Sequence, residues 1–241
     1  MPNPIVPPLI LLLLSIAEIA GTAAIGSAAA TILSDDFEDS GGDFTSSFTR
    51  HAVGNWAYDP RRQSWVANGS DIGIPSSKYL STEWLTVPES GILELTFEHR
   101  YSFEFDGIRW DGGAVLFGAN DGPFMTLLGS TFLRGGYTGT IQGNNDLFGG
   151  EAFNANSIGY EDGEFITSVA RLGSFDAGGT VRIRFAGAWD EFSRGDLPNW
   201  EITRVQLRVI PEPMAAALLF IAFGVGAANA GRRRRLGIAQ P

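Results

Sequence analysis

Leu93-Glu94-Leu95-Thr96-Phe97-Glu98-His99-Arg100-Tyr101-Ser102-Phe103-Glu104-Phe105 is the stretch on which the fold turns. Leu93, Leu95, Phe97, His99, Tyr101, Phe103 and Phe105 share one parity; Glu94, Thr96, Glu98, Arg100, Ser102 and Glu104 share the other. Period two held over thirteen residues is the mark of a β-strand with one face on a core and one on solvent. Such a length exceeds that of an ordinary strand, so a bend or bulge is expected to divide it. The alternation predicts a buried Phe97 and an exposed Glu98. His99 sits on the apolar parity and reads as a hydrogen-bonded core histidine rather than a general base.

Working outward, Val181, Ile183 and Phe185 point inward with Arg182 and Arg184 outward. Residues 113–118, 124–128 and 164–172 read as weaker strands. In the last apolar run Trp200 and Ile202 share one parity, and Val205, Leu207 and Val209 the other. The switch at Thr203-Arg204 predicts a β-bulge there. The chain has 31 glycines, which with neighbouring Asn and Asp punctuate these runs as turns. Between residues 31 and 210 no helical periodicity is sustained. Strands with one apolar face and no helices to cover it must stack as two sheets. Residues 135–158, rich in Gly and Asn, read as a long surface loop.

The two ends differ from this body. Leu9 to Ala17 is an apolar run leading through small residues to Ala28-Ala29-Ala30, which fits a cleavable secretory signal over residues 1–30. The usual positive start is missing, Glu18 is out of place, and a structural N-terminal helix is the competing reading. At the other end, seventeen uncharged residues from Met214 to Ala230 span ~25 Å as a helix, within the lower range for crossing a membrane. Arg232, Arg233, Arg234 and Arg235 follow and would hold that end on the cytoplasmic side. Between the ends, residues 31–209 form one domain by length. With 25 acidic against 13 basic residues its net charge is −12, which repels phosphate backbones and disfavours nucleic acid as a partner. Cysteine is absent, so neither disulfides nor thiolate metal sites are available.

Two resemblances follow from particular residues. The order Pro211-Glu212-Pro213, apolar helix 214–230, arginine cluster resembles the PEP-CTERM sorting signal of exported bacterial proteins. It implies transient membrane anchoring, then processing by an exosortase, on a protein bound for the cell surface or extracellular matrix of a Gram-negative-type bacterium. Within the body, Leu95 to Tyr101, then Trp110-Asp111-Gly112-Gly113, Gly135-Gly136-Tyr137, Ala152-Phe153, Ser157 to Tyr160, Val181 to Phe185 and Asn199-Trp200 form an ordered series. The series, over residues 78–209, resembles the MAM-like jelly-roll modules that accompany immune inhibitor A-type metallopeptidases. The resemblance implies an antiparallel two-sheet jelly-roll sandwich in an accessory, non-catalytic role.

The chemistry in the sequence is sparse. There are two histidines, no His-Glu-x-x-His zinc motif and no Gly-x-Ser-x-Gly elbow. A sandwich-fold glycoside hydrolase would need two facing carboxylates. Glu94 and Glu98 share a strand face but lie ~13 Å apart at ~3.3 Å per residue, and read as solvated charges. Six tryptophans raise the alternative of a carbohydrate-binding module for extracellular polysaccharide. Trp110 and Trp189, beside loops, are the first candidates for its aromatic face. A structural calcium ion is the one cofactor suggested. Ser34-Asp35-Asp36-Phe37-Glu38-Asp39 places Asp36 and Glu38 on one face if Phe37 enters the core within a strand. In the resembled modules an Asp pair after the closing tryptophan completes such a site. Here Thr203 and Arg204 stand in its place, leaving Glu201 as the substitute. Asp106 and Asp111, flanking a Gly-containing turn, are an alternative loop site.

Overall fold

Fifteen strands and two short 3-10 turns make up the computed structural model, which describes residues 28–49 and 52–211. The strands are β1 (Ala30–Asp35), β2 (Phe44–Phe48), β3 (Ala57–Asp59), β4 (Ser64–Ala67), β5 (Ser76–Thr82), β6 (Leu85–Thr86), β7 (Gly91–Tyr101), β8 (Gly112–Ala119) and β9 (Met125–Thr126). They continue with β10 (Phe132–Arg134), β11 (Gly139–Thr140), β12 (Glu151–Ala152), β13 (Ile166–Phe175), β14 (Thr180–Trp189) and β15 (Trp200–Ile210). A seven-stranded sheet runs β10-β13-β7-β15-β4-β3, with β1 also on β15. A six-stranded sheet runs β2-β5-β14-β8-β9, with β6 also on β14, and β11-β12 form a separate pair. Every strand pairing in them is antiparallel. The long strands β5, β7, β8, β13, β14 and β15 alternate between the two sheets, the winding of a jelly roll.

The expected parity holds where it was strongest. Leu93, Leu95 and Phe97 from β7 and Val181, Ile183 and Phe185 from β14 are fully buried between the sheets. The Phe97 and Phe185 rings meet edge-on at 5.2 Å. The register between β15 and β7 shifts between Ile202 and Arg204, so the bulge lies where the parity switch placed it. β7 itself is not bulged. Its partners β13 and β15 carry the extra residues, and the strand simply ends at Tyr101. Beyond it the Ser102 and Phe103 amides turn to the carbonyls of Asn199 and Ala155, and Phe105 emerges 48% exposed.

Three expectations are corrected. The polar face of β7 is not a row of solvated charges. Glu94 faces Arg208, Glu98 faces Arg204 and Arg100 faces Glu201 across the β7–β15 pairing, at 2.9, 3.7 and 2.7 Å. Opposite charges directly across an antiparallel pair attract, and Glu94 is buried in its pair. Arg182 and Arg184 are half-buried rather than free in solvent. Their guanidinium groups stack on Phe124 at 4.0 and 3.9 Å, with Trp84 and Tyr79 beyond. Residues 135–158 are not a surface loop. They carry β11 and β12, bury Ile141, Leu147 and Phe153, and lie against the start of β8. Gly112 permits the approach: a Cβ there would meet Ile141 Cδ1 at 2.6 Å and the Phe153 carbonyl oxygen at 2.8 Å, while Gly113 makes room for the Trp200 ring on the core side, where a Cβ would stand 2.5 Å from it.

The expected signal segment through Ser27, and Glu212, Pro213, the apolar run 214–230 and Arg232 to Arg235, lie outside the described residues; Pro211 is the last one described. Among the described residues no helix is long and apolar enough to cross a membrane. β1 begins at Ala30 and pairs along the far half of β15, so the strands nearest the two ends are neighbours.

Candidate functional site

At the opposite end of β15 from Ile210, the chain leaving β7, the turn entering β8 and the loop leaving β14 converge. The register decides this. Gly112 at the start of β8 pairs with Ala188 near the end of β14, which sets Asp111 beside Trp189-Asp190. The Asp190 amide donates to Asp111 Oδ1 at 2.9 Å. Glu104 arrives from the other sheet, three residues past the end of β7. One carboxylate oxygen from each of Glu104, Asp111 and Asp190 lies within 4.8 Å of the other two.

Above these carboxylates is an open cleft of about 550 Å³, walled by Phe105, Trp110 and Phe192 and edged by Asp106, Glu191 and Arg194. Trp110 is half-buried, and its orientation is fixed from two sides. Its indole N–H donates to Asp106 Oδ1 at 3.0 Å, and its carbonyl accepts from Asn145 Nδ2 at 2.7 Å. Asp106 Oδ1 also accepts the Ile108 amide, closing a turn that Gly107 completes at φ 103°. Phe192 is 46% exposed, with the Arg194 guanidinium 5.4 Å from its ring. A second cleft of about 360 Å³ adjoins the first and shares Glu104, Phe105 and Arg194 with it.

Asn199, fully buried, holds the 190–199 loop in place. Its amide donates to the Ser102 carbonyl at 3.1 Å, while its oxygen accepts from the Gly69 amide and the Ser193 hydroxyl at 2.7 and 2.9 Å. The exposed Phe192 ring therefore projects from a pinned loop rather than a loose one. The electrostatics are one-sided. Burial, then the charges of Asp190, Glu104 and Asp71, push the Asp111 carboxyl up to about 8, against the lowering effect of the Asp190 amide. Burial, then Asp190, also raises Glu104, against the opposing pull of Arg194.

The residues singled out from sequence divide sharply. Trp110 lies in the cleft wall, as a loop-borne aromatic should. Trp189 does not: it is fully buried, its indole laid back over Gly187, where a Cβ would stand 2.5 Å from the ring. Trp56, Trp65 and Trp200 are buried too, which leaves Trp84 and Trp110 as the indoles within reach of a ligand. Asp36, Glu38 and Glu201 are not brought together. Phe37 enters the core, but through a left-handed turn at φ 59° after β1 has ended, so the alternation that aligned Asp36 with Glu38 does not exist. Both of these carboxylates are exposed. Glu201 is 2% exposed and fully engaged, by Ser64 Oγ and Arg100 Nε at 2.7 Å each and by Arg62 at 3.4 Å. Of the alternative pair, Asp111 joins the carboxylate group, whereas Asp106 is committed to Trp110. Asp190 carried no sequence signal of its own, because its meaning comes from pairing across 79 residues.

No protein-family model matches the sequence, and no curated protein matches it. Among solved structures, the K3 cleaved adhesin domain of Lys-gingipain from Porphyromonas gingivalis W83 is similar with TM-score 0.39 and 18% identity, covering 74% of this chain and 99% of that one. A family 61 carbohydrate-binding module in complex with β-1,4-galactotriose has TM-score 0.37 and 12% identity, over 69% of this chain and 88% of that one. A family 35 carbohydrate-binding module from Clostridium thermocellum has TM-score 0.34 and 16% identity, over 73% and 98%.

Proposed function

We propose that this chain is an exported, non-catalytic binding module for neutral polysaccharide, held at the cell surface or in the extracellular matrix through its C-terminal sorting segment. The observation that carries the binding role is the cleft of about 550 Å³ in which Phe105, Trp110 and Phe192 stand beside carboxylates on pinned loops. Aromatic faces cover the apolar C–H surfaces of a pyranose, and carboxylates accept its hydroxyl protons. The adjoining cleft of about 360 Å³ continues the site in one direction, which suits a chain of sugars better than a single one. The net charge of −12 over the body, with Arg194 the one cation among the described residues lining the cleft, favours an uncharged glycan over an acidic one.

The sorting role comes from the sequence: Pro211-Glu212-Pro213, the apolar run 214–230 and the arginines Arg232 to Arg235. Membrane and exosortase are its partners in this reading.

Affinity electrophoresis and pull-down against a panel of soluble and insoluble polysaccharides tests the binding role. Trp110→Ala should weaken capture of the bound glycan by at least about tenfold, ~1.4 kcal/mol, with the melting temperature unchanged. Trp84→Ala, whose indole packs on Arg182 and is not among the residues lining the cleft, should bind as wild type. No capture by any glycan, or capture indifferent to Trp110→Ala, would sink the reading. Release of reducing ends from the panel would replace it with a hydrolase.

A further inference from the structure

We infer that Glu104, Asp111 and Asp190 bind one calcium ion at the base of the cleft. One oxygen of each lies within 4.8 Å of the others, and among the described residues no other trio of His, Asp or Glu is so placed. Two oxygens of one calcium ion can stand at most twice a Ca–O distance apart, ~4.8 Å at ~2.4 Å, and all three separations meet that condition. The donors are all carboxylate oxygens, the hard ligands that select calcium or magnesium over zinc. Calcium is the better match, since a flexible coordination shell tolerates ligands drawn from three separate chain segments.

A second observation points to a ligand independently of the acidic cluster. Asp111 is fully buried, and its Oδ2 has no hydrogen-bond partner. Its Oδ1 is tied to the Asp190 amide, so the carboxylate cannot swing away to satisfy the free oxygen elsewhere. A buried carboxylate oxygen left bare is costly, and such orphans ask for an ion or a water. Neighbouring cations do not meet the need. Arg194 approaches Glu104 only to 3.8 Å, with its side chain 69% exposed, and makes a weak pair. Asp71 and Asp106 add further negative charge nearby but are otherwise occupied, by the Ser193 amide and by Trp110.

An ion here would clamp the chain leaving β7, in one sheet, to the ends of β8 and β14 in the other. This goes beyond the saccharide reading, because occupancy is measured with no glycan present.

The test strips the full chain with EDTA, then dialyses it against CaCl₂, counts bound metal by elemental analysis and follows thermal unfolding. One calcium per chain is expected, with a rise in melting temperature that EDTA reverses, as mass action requires of an ion bound only by the folded state. Asp111→Asn should weaken calcium affinity by at least about tenfold through loss of a charged ligand. Glu104→Gln, on the open side, should do the same and serves if Asp111→Asn does not fold. The Asp36→Asn, Glu38→Gln double variant should bind as wild type. No calcium on the wild-type chain, undiminished binding by the cluster variants, or loss on changing only Asp36 and Glu38 would each overturn the assignment. Trp110→Ala should keep the ion, so a failure of the saccharide reading leaves this result standing, and the reverse.

Discussion

Acid should destabilise this protein through one histidine, by an amount that the structure sets. His99 is fully buried on β7. The Trp200 indole donates to its Nδ1 at 3.1 Å, so Nδ1 carries the lone pair and the proton resides on Nε2. Nε2 donates to Ser168 Oγ at 2.8 Å, and that hydroxyl donates onward to the Gly135 carbonyl. A second proton, on Nδ1, would face the indole N–H and break the chain. Burial lowers the imidazole from its ordinary 6.5 to about 3. The folded pKa is depressed, so the unfolded chain takes up the proton first as pH falls. The stabilisation is complete above ~6.5 and is lost progressively towards ~3. Between pH 7 and pH 5 the unfolded imidazole goes from about one quarter to almost fully protonated while the folded one stays neutral, a loss of ~2 kcal/mol. Asp111 acts in the opposite sense: its folded pKa is raised to about 8, so falling pH stabilises the fold through it. The wild-type curve alone therefore mixes the two. His99→Gln separates them, since an amide can accept from Trp200 and donate to Ser168 without titrating. Urea unfolding of both proteins at pH 7, 6 and 5, in EDTA at constant ionic strength, gives the comparison. The stability of wild type minus that of His99→Gln should fall by ~2 kcal/mol over that range. Parallel pH profiles would refute the buried, neutral imidazole.

The strand register makes its own claim: Phe97→Ala should cost ~3–5 kcal/mol, while Glu98→Ala, the partly exposed member of a 3.7 Å pair, should stay within ~0.5 kcal/mol. Comparable urea midpoints for the two variants would contradict the alternation. Glu201→Ala should cost ~3–5 kcal/mol, because it strands the Arg100 guanidinium that now sits 2.7 Å from a buried carboxylate. A midpoint unchanged from wild type would show that solvent rescues that charge. Intact-mass measurement of exported protein should find a C-terminus near Pro211 to Pro213; a product still carrying Arg232 to Arg235 would rule out processing there.

What the sequence determined by itself is what depends on near neighbours along the chain. The period-two run from Leu93 is visible because consecutive side chains of any strand point to opposite faces, whatever lies across from them. The bulge at Thr203-Arg204 is legible for the same reason, since an extra residue must shift the parity of everything after it. Phe37 is buried as its apolar character demands, although the turn that buries it was not foreseeable from alternation. The tertiary structure decided whatever depends on what stands opposite. Glu94, Glu98 and Glu201 look like solvated or ligating carboxylates until β15 is laid beside β7 and arginines face them. Trp189 looks like a loop aromatic until Gly187 opens a slot for its ring. Phe153 lies in a stretch without periodicity, yet it is fully buried against Phe97, His99 and Trp200. The carboxylate group is the extreme case. Asp111 and Asp190 meet because Gly112 pairs with Ala188, and Glu104 joins them because the two sheets stack. Neither pairing nor stacking leaves a mark in the residues themselves, because both are set by hydrogen bonds and contacts between segments far apart in the chain.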